Sequence, residues 1–492
     1  MRKKISIYAL ILFFAGFLLI IGWGCVQGLD PDFGWHLRMG QDILSKGVPQ
    51  TDTYSYTMPS YPFVNHEWLT GVIIAFLYPF IGIVGVTIIF VLLAYTSLLI
   101  QFPWLLKRWA IVPLLLSLGS LYSYMGVRVQ VISWVFFSFL LFVLLHKKVW
   151  NTLRFSLPFV FLLWVNLHAG FPLGLIVFLL VLIYKTWEKK KINIVDWSLF
   201  ICSILVTFIN PYTYRIWWEV WVTFFDPSIR WSIQEWLPAF FFVNYYLLLL
   251  LPLSIVLIFS TRRHFSLIEL GLYLLLLCFG LSSTRNIPFF LLLAFPMTTR
   301  ATAYFEKDIA KISFAPERFR KMYSLYFSLV IIVVIWQIVP PLFSHKTNFA
   351  ADYYPNSAIT YLQNHPSHGN IFAPYAWGGY LIWKLPQKKI FIDGRMTIWK
   401  QTGTTSESAD ALTESNAIIS GKEKFSFAAQ KYHIDAVLLM NTSLQEKKSI
   451  TTVLSSFFHL NQEDLPYLLQ QIKKMGMKEV YRDKTAVIYR RE

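Results

Sequence analysis

Charge is scarce in this sequence of 492 residues: only 14% are Asp, Glu, Lys or Arg, where a soluble domain carries about a quarter. So few charges cannot cover the surface of the roughly two or three soluble domains such a length would form, which excludes an ordinary soluble enzyme. Acidic residues are the scarcer sign, 27 against 44 Lys and Arg, leaving a formal charge of +17. Cysteine is nearly absent. Cys25, Cys202 and Cys278 lie far apart, in or beside apolar runs, so neither a disulfide framework nor a zinc ribbon is available. No fixed-period repeat or low-complexity tract occurs, which argues against a solenoid. What the chain has in abundance is apolar surface. Hydrophobic residues make up 56% and aromatics 18%, and this wealth of Leu, Ile, Val and Phe excludes disorder.

The apolar residues are gathered into runs bounded by charge, from the N-terminus to about residue 340. The longer runs can cross a hydrocarbon core of about 30 Å, and several are short. Spans are expected near 5–24, 72–101, 109–125, 131–146, 155–167, 171–185, 197–209, 239–260, 266–282, 287–300 and 322–340. That gives a polytopic α-helical membrane protein of about 11 spans. The 72–101 run has room for an interfacial helix before its span. The first run follows Arg2, Lys3 and Lys4 without a small-x-small cleavage site, and is expected to be retained as a span.

Charge sets the orientation. With the N-terminus inside, the inner loops hold clusters such as Lys107-Arg108, Lys147-Lys148, Lys189-Lys190-Lys191 and Arg262-Arg263, while outer loops hold only Arg38, Lys46, Arg128, Arg215, Arg230 and Arg285. By the positive-inside rule the N-terminus is cytoplasmic. The positive excess is then mostly a topology signal, and no nucleic-acid partner is expected. An odd number of spans puts the chain after 340 outside. There the composition shifts to Pro/Gly turns and short alternating segments. Helices are expected at 356–364, 425–432 and 464–474, and strands at 370–375, 389–393, 436–440, 478–481 and 485–489. The chain thus divides into a membrane domain over 1–340, with a long first outer loop at 25–71, and a small extracytoplasmic α/β domain over 341–492.

Polar residues gather at the outer ends of the spans. The first outer loop holds Asp30-Pro31-Asp32-Phe33-Gly34-Trp35-His36 and Asn65-His66-Glu67-Trp68. Later outer turns bring Arg128, Asn166-Leu167-His168-Ala169-Gly170, Asn210-Pro211-Tyr212, Glu235-Trp236 and Arg285-Asn286. Ionisable groups at span ends are costly unless they face a wet cavity or one another, so their placement on one side points to one outward-facing cleft. Each piece has a plainer reading. Asp32 would be an N-cap bonding the amides of the Trp35–His36 turn. A lone His168 is by default a hydrogen-bonded structural histidine. Arg128 and Arg285 would pair with outer carboxylates, and Trp35, Trp68 and Trp236 would be interfacial belt residues.

Together they have a chemistry. A carboxylate in a partly desolvated cleft takes a proton from an acceptor hydroxyl. Arginines clamp a phosphate leaving group as charge develops on it. Indole faces stack on a sugar ring. A lipid-linked donor entering between spans would meet all three, which suits glycosyl transfer. Asp30, Asp32, His36, His66 and Glu67 also have the donor types for one divalent cation, Mg or Mn.

At these residues the sequence resembles the GT-C class of polytopic glycosyltransferases, and within it multi-span bacterial and archaeal proteins. The likeness continues through Phe171, Trp377-Gly378-Gly379-Tyr380 and Phe391-Ile392-Asp393-Gly394-Arg395, and so covers nearly the whole chain. It implies a polyprenyl-phosphate sugar donor, a glycan, lipid or protein acceptor on the outer face of the cytoplasmic membrane, and an acidic base early in the first outer loop. Asp32 is the first choice for that base and Asp30 the second. His36, His66, Glu67, Trp68, Asn166, His168, Glu235, Trp236 and Asn286 would contact substrate, and Arg128 and Arg285 the lipid phosphate. Two residues depart from the pattern. Gly34 stands where a bulky aromatic is usual, which would loosen the acceptor side. Ala169 replaces a glycine, which would crowd a close backbone approach. Gly378-Gly379 and Asp393-Gly394-Arg395 read as tight turns and a loop-holding ion pair. No nucleotide-binding glycine fingerprint is present. A transporter or flippase for a lipid-linked saccharide would place polar groups at mid-membrane in two related halves, and neither is visible. A non-catalytic envelope-assembly protein would tolerate loss of Asp32.

Overall fold

The computed structural model describes residues 2–100, 108–226, 231, 233–242, 244–310, 315–343, 353–441 and 465–491. The chain forms two compact units. One comprises Met1–Gln27, Ile83–Thr213 and Glu235–Thr347; the other comprises Gly28–Gly82, Tyr214–Gln234 and Asn348–Glu492. The first outer loop and the segment from Tyr214 therefore fold with the C-terminal residues, whereas the sequence reading drew one boundary near 340.

The first unit is helical. Its centre is the Ile287–Ile309 helix, buried along most of its length and packed against Ile111–Tyr122, Gln130–Leu145, Tyr245–Ser260 and Leu267–Ser282. Trp134, Trp164, Phe137, Phe161 and Phe178 fill the core beside it. Leu267–Ser282 starts with a capping box in which Ser266 and Glu269 satisfy each other's backbone amides.

Among the described residues, three helices are long and apolar enough to cross a membrane: Trp68–Leu99, Phe171–Lys189 and Pro316–Gln337. The spans expected at 131–146 and 155–167 form a pair bent by 111° at extended residue His146, which counts as one more crossing if taken together. Five shorter apolar helices lie at other expected positions: Ala15–Gln27, Ile111–Tyr122, Ile194–Phe208, Tyr245–Ser260 and Leu267–Ser282. Apolar helices of this kind make the chain a membrane protein.

Trp68–Leu99 has 32 residues, which at 1.5 Å per residue is about 48 Å, well beyond the about 30 Å of a hydrocarbon core. It breaks at Gly82, whose φ of 60° and ψ of −171° only glycine adopts without strain. The run thus contains two helices, 68–81 and 83–99, as its length led us to expect.

The second unit is built on a four-stranded sheet in the order β1-β2-β4-β3, with β1 Asn370–Phe372, β2 Ile434–Met440, β3 Lys478–Arg482 and β4 Ala486–Arg490. β1 and β2 are parallel, and β2–β4 and β3–β4 are antiparallel. Helices Asn356–Asn364, Phe425–Lys431 and Leu465–Lys474 stand where the sequence pattern puts them. The segment 389–393 is not a strand. Its only ladder contact is one parallel bridge, Ser55 to Ile390, so it is tied to the first outer loop instead.

That tie is reinforced where the Phe33–Lys46 helix crosses Gly378–Lys384. A methyl group on Gly34 would lie 2.1 Å from the Gly379 carbonyl oxygen, and one on Gly379 would lie 2.4 Å from that of Pro31. Gly34 is thus the residue that lets two helices touch; Gly379 belongs to that crossing, and Gly378 packs instead on the Ile392 carbonyl, where a methyl group would come within 2.1 Å.

Candidate functional site

The Asp30–His36 segment starts the Phe33–Lys46 helix. Asp32 occupies the N-cap position, but its φ and ψ of −87° and −13° are helical and its side chain makes no cap bond. Its Oδ1 instead accepts a hydrogen bond from the Trp35 indole at 2.9 Å. The Asp32 amide donates to Asp30 Oδ1 at 3.0 Å, which fixes the turn. Asp32 Oδ1 also lies against Gly394, where a methyl group would come within 2.0 Å of it. Asp32 is half-buried. Tyr354 is near. Burial first, then the charges of Asp30, Tyr353 and Asp32, hold its phenol well above the usual range, and its hydroxyl donates to the Leu29 carbonyl at 2.9 Å.

Asp393-Gly394-Arg395 is held from below. Arg395 donates through Nε and Nη2 to the two oxygens of Asp393 at 2.8 and 2.6 Å, and through Nη1 to Asp52 at 2.9 Å. All three side chains are essentially inaccessible. Burial alone would lower the guanidinium pKa, but Asp393 and Asp52 outweigh it and hold the cation firmly charged. The rings of Tyr54, Phe63 and Trp399 enclose it at 5.0, 5.2 and 5.3 Å. The ion pair that the sequence reading expected to hold a loop is thus a triad, and Asp52 is its unforeseen member.

His36, His66 and Glu67 come together. The Glu67 carboxylate lies between two imidazoles, Oε2 3.4 Å from His36 Nε2 and Oε1 3.5 Å from His66 Nε2. Burial, partly offset by Glu67, lowers the His36 pKa from 6.5 to about 4, so His36 is neutral at pH 7. Its folded value lies below its unfolded one, so the stability it contributes is complete above pH 6.5 and is lost as pH falls through about 4. His36→Gln should therefore flatten the dependence of thermal stability on pH across that window, while a dependence as steep as wild type's would show that His36 does not titrate there.

Glu219 was missed by the sequence reading. It lies on the buried side of the Arg215–Phe225 helix, and burial raises its carboxyl pKa, opposed by the charges of His66 and Arg215. Arg215 fastens this helix to the first outer loop through Gln50 Oε1 and the Pro62 carbonyl, both at 2.9 Å. The signal was one acid, three residues after Ile216, in an otherwise aromatic helix. Trp68 opens the next helix, half-buried.

The remaining candidates belong to the other unit. Arg128 pairs with Glu235 at 2.8 Å. Ser283 and Thr284 hydroxyls both donate to the Glu235 carbonyl at 2.8 Å, which clasps the Gln234–Trp236 turn to the turn at Thr284–Asn286. Arg285 stacks on the Trp236 ring at 4.6 Å, and Asn286 is buried at the start of Ile287–Ile309. His168 and Asn166 bond within their own unit. His168 Nδ1 accepts from the Gly170 amide at 3.0 Å and is 2.7 Å from Ser133 Oγ, which itself accepts from the Trp164 indole at 2.6 Å. Nδ1 is therefore the unprotonated nitrogen, and the ring packs a turn. A methyl group on Gly170 would meet Ser133 Oγ at 2.3 Å, so the glycine that this turn requires is Gly170. Asn166 donates to the Leu162 and Ile209 carbonyls.

Among the described residues, no three or more His, Cys, Asp or Glu side chains gather as a metal ion would need. Asp30, Asp32 and His36, the possible ligand set, form no such group among the described residues, and Asp32 Oδ1 accepts from an indole N–H.

No protein-family model matches the sequence, and no curated protein does. Solved structures do match. The archaeal oligosaccharyltransferase AglB from Archaeoglobus fulgidus, in complex with an inhibitory peptide and a dolichol-phosphate, aligns with a TM-score of 0.55 at 11% identity, covering 93% of this chain and 72% of that one. The apo form of the A. fulgidus oligosaccharyltransferase aligns with a TM-score of 0.53 at 11% identity, covering 87% and 68%. This chain shares the fold of that oligosaccharyltransferase. At 11% identity the likeness is one of fold alone, and the Asp30–His36 segment gives that fold a carboxylate bonded to an indole.

Proposed function

We propose that the protein is a membrane glycosyltransferase that moves a sugar from a polyprenyl-phosphate carrier to an acceptor on the outer face of the cytoplasmic membrane, with inversion. The observation that carries this reading is Asp32. Its carboxylate is released from capping, oriented by the Trp35 indole and backed by Gly394, on a fold shared with a glycosyltransferase.

In the reaction, one Asp32 oxygen accepts the proton of an acceptor hydroxyl as the hydroxyl oxygen bonds to the anomeric carbon. The bond from that carbon to the phosphate oxygen breaks, and the polyprenyl phosphate leaves with the electron pair. Attack opposite the leaving group inverts the centre. The acceptor is a glycan, a lipid or a protein. Asp30 shapes the turn that carries Asp32, and His36, His66, Glu67 and Trp68 are assigned to the substrate. The charge bias of the loops supports a multi-pass topology with a cytoplasmic N-terminus and the residues after 340 outside.

The test is a panel of radiolabelled polyprenyl-phosphate sugars offered, with membrane extract, to the purified protein in detergent. One donor is expected to lose its label to an acceptor and to yield polyprenyl phosphate, and parallel reactions with and without chelator decide whether a divalent cation takes part. Folded protein that leaves every donor intact would contradict the reading.

A further inference from the structure

The Arg215–Phe225 helix has two unlike faces. Ile216 and Glu219 are buried, and Arg215 is bonded to the first outer loop. On the other side Tyr214, Trp218, Trp221 and Phe225 follow each other at four-, three- and four-residue steps, which places them in one stripe. They are 67, 66, 59 and 59% exposed. The Trp221 and Phe225 rings lie 4.3 Å apart, so the stripe is continuous. It carries no charged group: the helix's only charged residues, Arg215 and Glu219, face its own unit. Aromatic side chains bury about 150–250 Å² each, so leaving such a row in water is unfavourable.

We propose that this helix lies in the outer-leaflet interface, its aromatic stripe seated at the boundary of headgroups and acyl chains. Two further observations favour a lipid surface over a protein partner. Only Ile209–Tyr214 separates the helix from the apolar helix Ile194–Phe208, so the chain has little length in which to leave the membrane surface. The same compact unit contains helix 68–81, which exposes Phe76 and Phe80 and runs through Gly82 into the apolar helix 83–99. A helix rich in Trp and Phe on one side, tethered at bilayer level, takes up the interfacial position that amphipathic aromatics prefer. The lipid surface then holds the outer side of the helix that carries Glu219 toward His66.

The inference does not depend on the glycosyl-transfer reading and is tested without substrate. In a background with exposed Cys202 and Cys278 changed to Ser and buried Cys25 kept, Trp221→Cys is labelled with an environment-sensitive fluorophore. The protein is placed one copy per nanodisc of phosphatidylethanolamine and phosphatidylglycerol carrying a nitroxide near the headgroup. Asn364→Cys, at an exposed polar position on Asn356–Asn364, is the reference. Quenching at 221 should exceed that at 364 by at least about twofold. Equal quenching, or shielding that requires two copies per disc, would overturn the proposal. If Trp221→Cys does not fold, Phe225→Cys reads the same stripe.

Discussion

Arg395→Leu should destabilise the protein by about 3–5 kcal/mol near neutral pH, the usual cost of breaking a buried ion pair from one side. Asp52 and Asp393 would be left as two buried carboxylates with no cation, and the loop amide that Arg395 donates to Asp393 Oδ1 at 2.8 Å would lose its framework. Thermal unfolding in detergent at neutral pH would measure this. A melting temperature equal to wild type's would mean that the carboxylates find other partners.

Gly394→Ala and Gly34→Ala should fail in different ways. Both place a methyl group about 2 Å from an oxygen. At Gly394 that oxygen belongs to the Asp32 side chain, which can swing aside at little cost in stability. A displacement near 1 Å of a reacting group costs about 100-fold in rate, so Gly394→Ala should lose turnover at a nearly unchanged melting temperature. At Gly34 the oxygen is the Gly379 backbone carbonyl, and two helices must part, with a stability loss of about 1–3 kcal/mol. Melting and turnover should fall together there. Turnover by Gly394→Ala within a few-fold of wild type would show that the Asp32 position is not critical.

The contrast between these glycines shows what could be read in the sequence. Local pattern sufficed for helix 356–364 and for strands β2, β3 and β4, because alternation and turn residues report a segment's own conformation. It did not suffice where the partner is remote in sequence. Residues 389–393 have the composition of a strand, yet their partner is Ser55, and no local signal records that pairing. Gly34 read as a loosened acceptor contact because its neighbour, Gly379, is equally remote.

The candidate site was legible in part for the same reason. His36, His66 and Glu67 were recognised by residue type and do assemble. Asp52 sits between two threonines, and nothing local marks it as the partner of a remote arginine. The expected N-cap bond of Asp32 gave way to the Trp35 indole, which the helix brings round one turn later.

The central claim is that Asp32 takes the acceptor proton. It is tested most directly by comparing wild type and Asp32→Asn on the donor that wild type consumes, with melting temperature measured on both. Asn keeps the shape and can still accept from the Trp35 indole, but it cannot act as a base at neutral pH. The account predicts a fall in turnover of at least about 100-fold, the contribution expected of a general base, with melting unchanged. Turnover by Asp32→Asn within about threefold of wild type would contradict it.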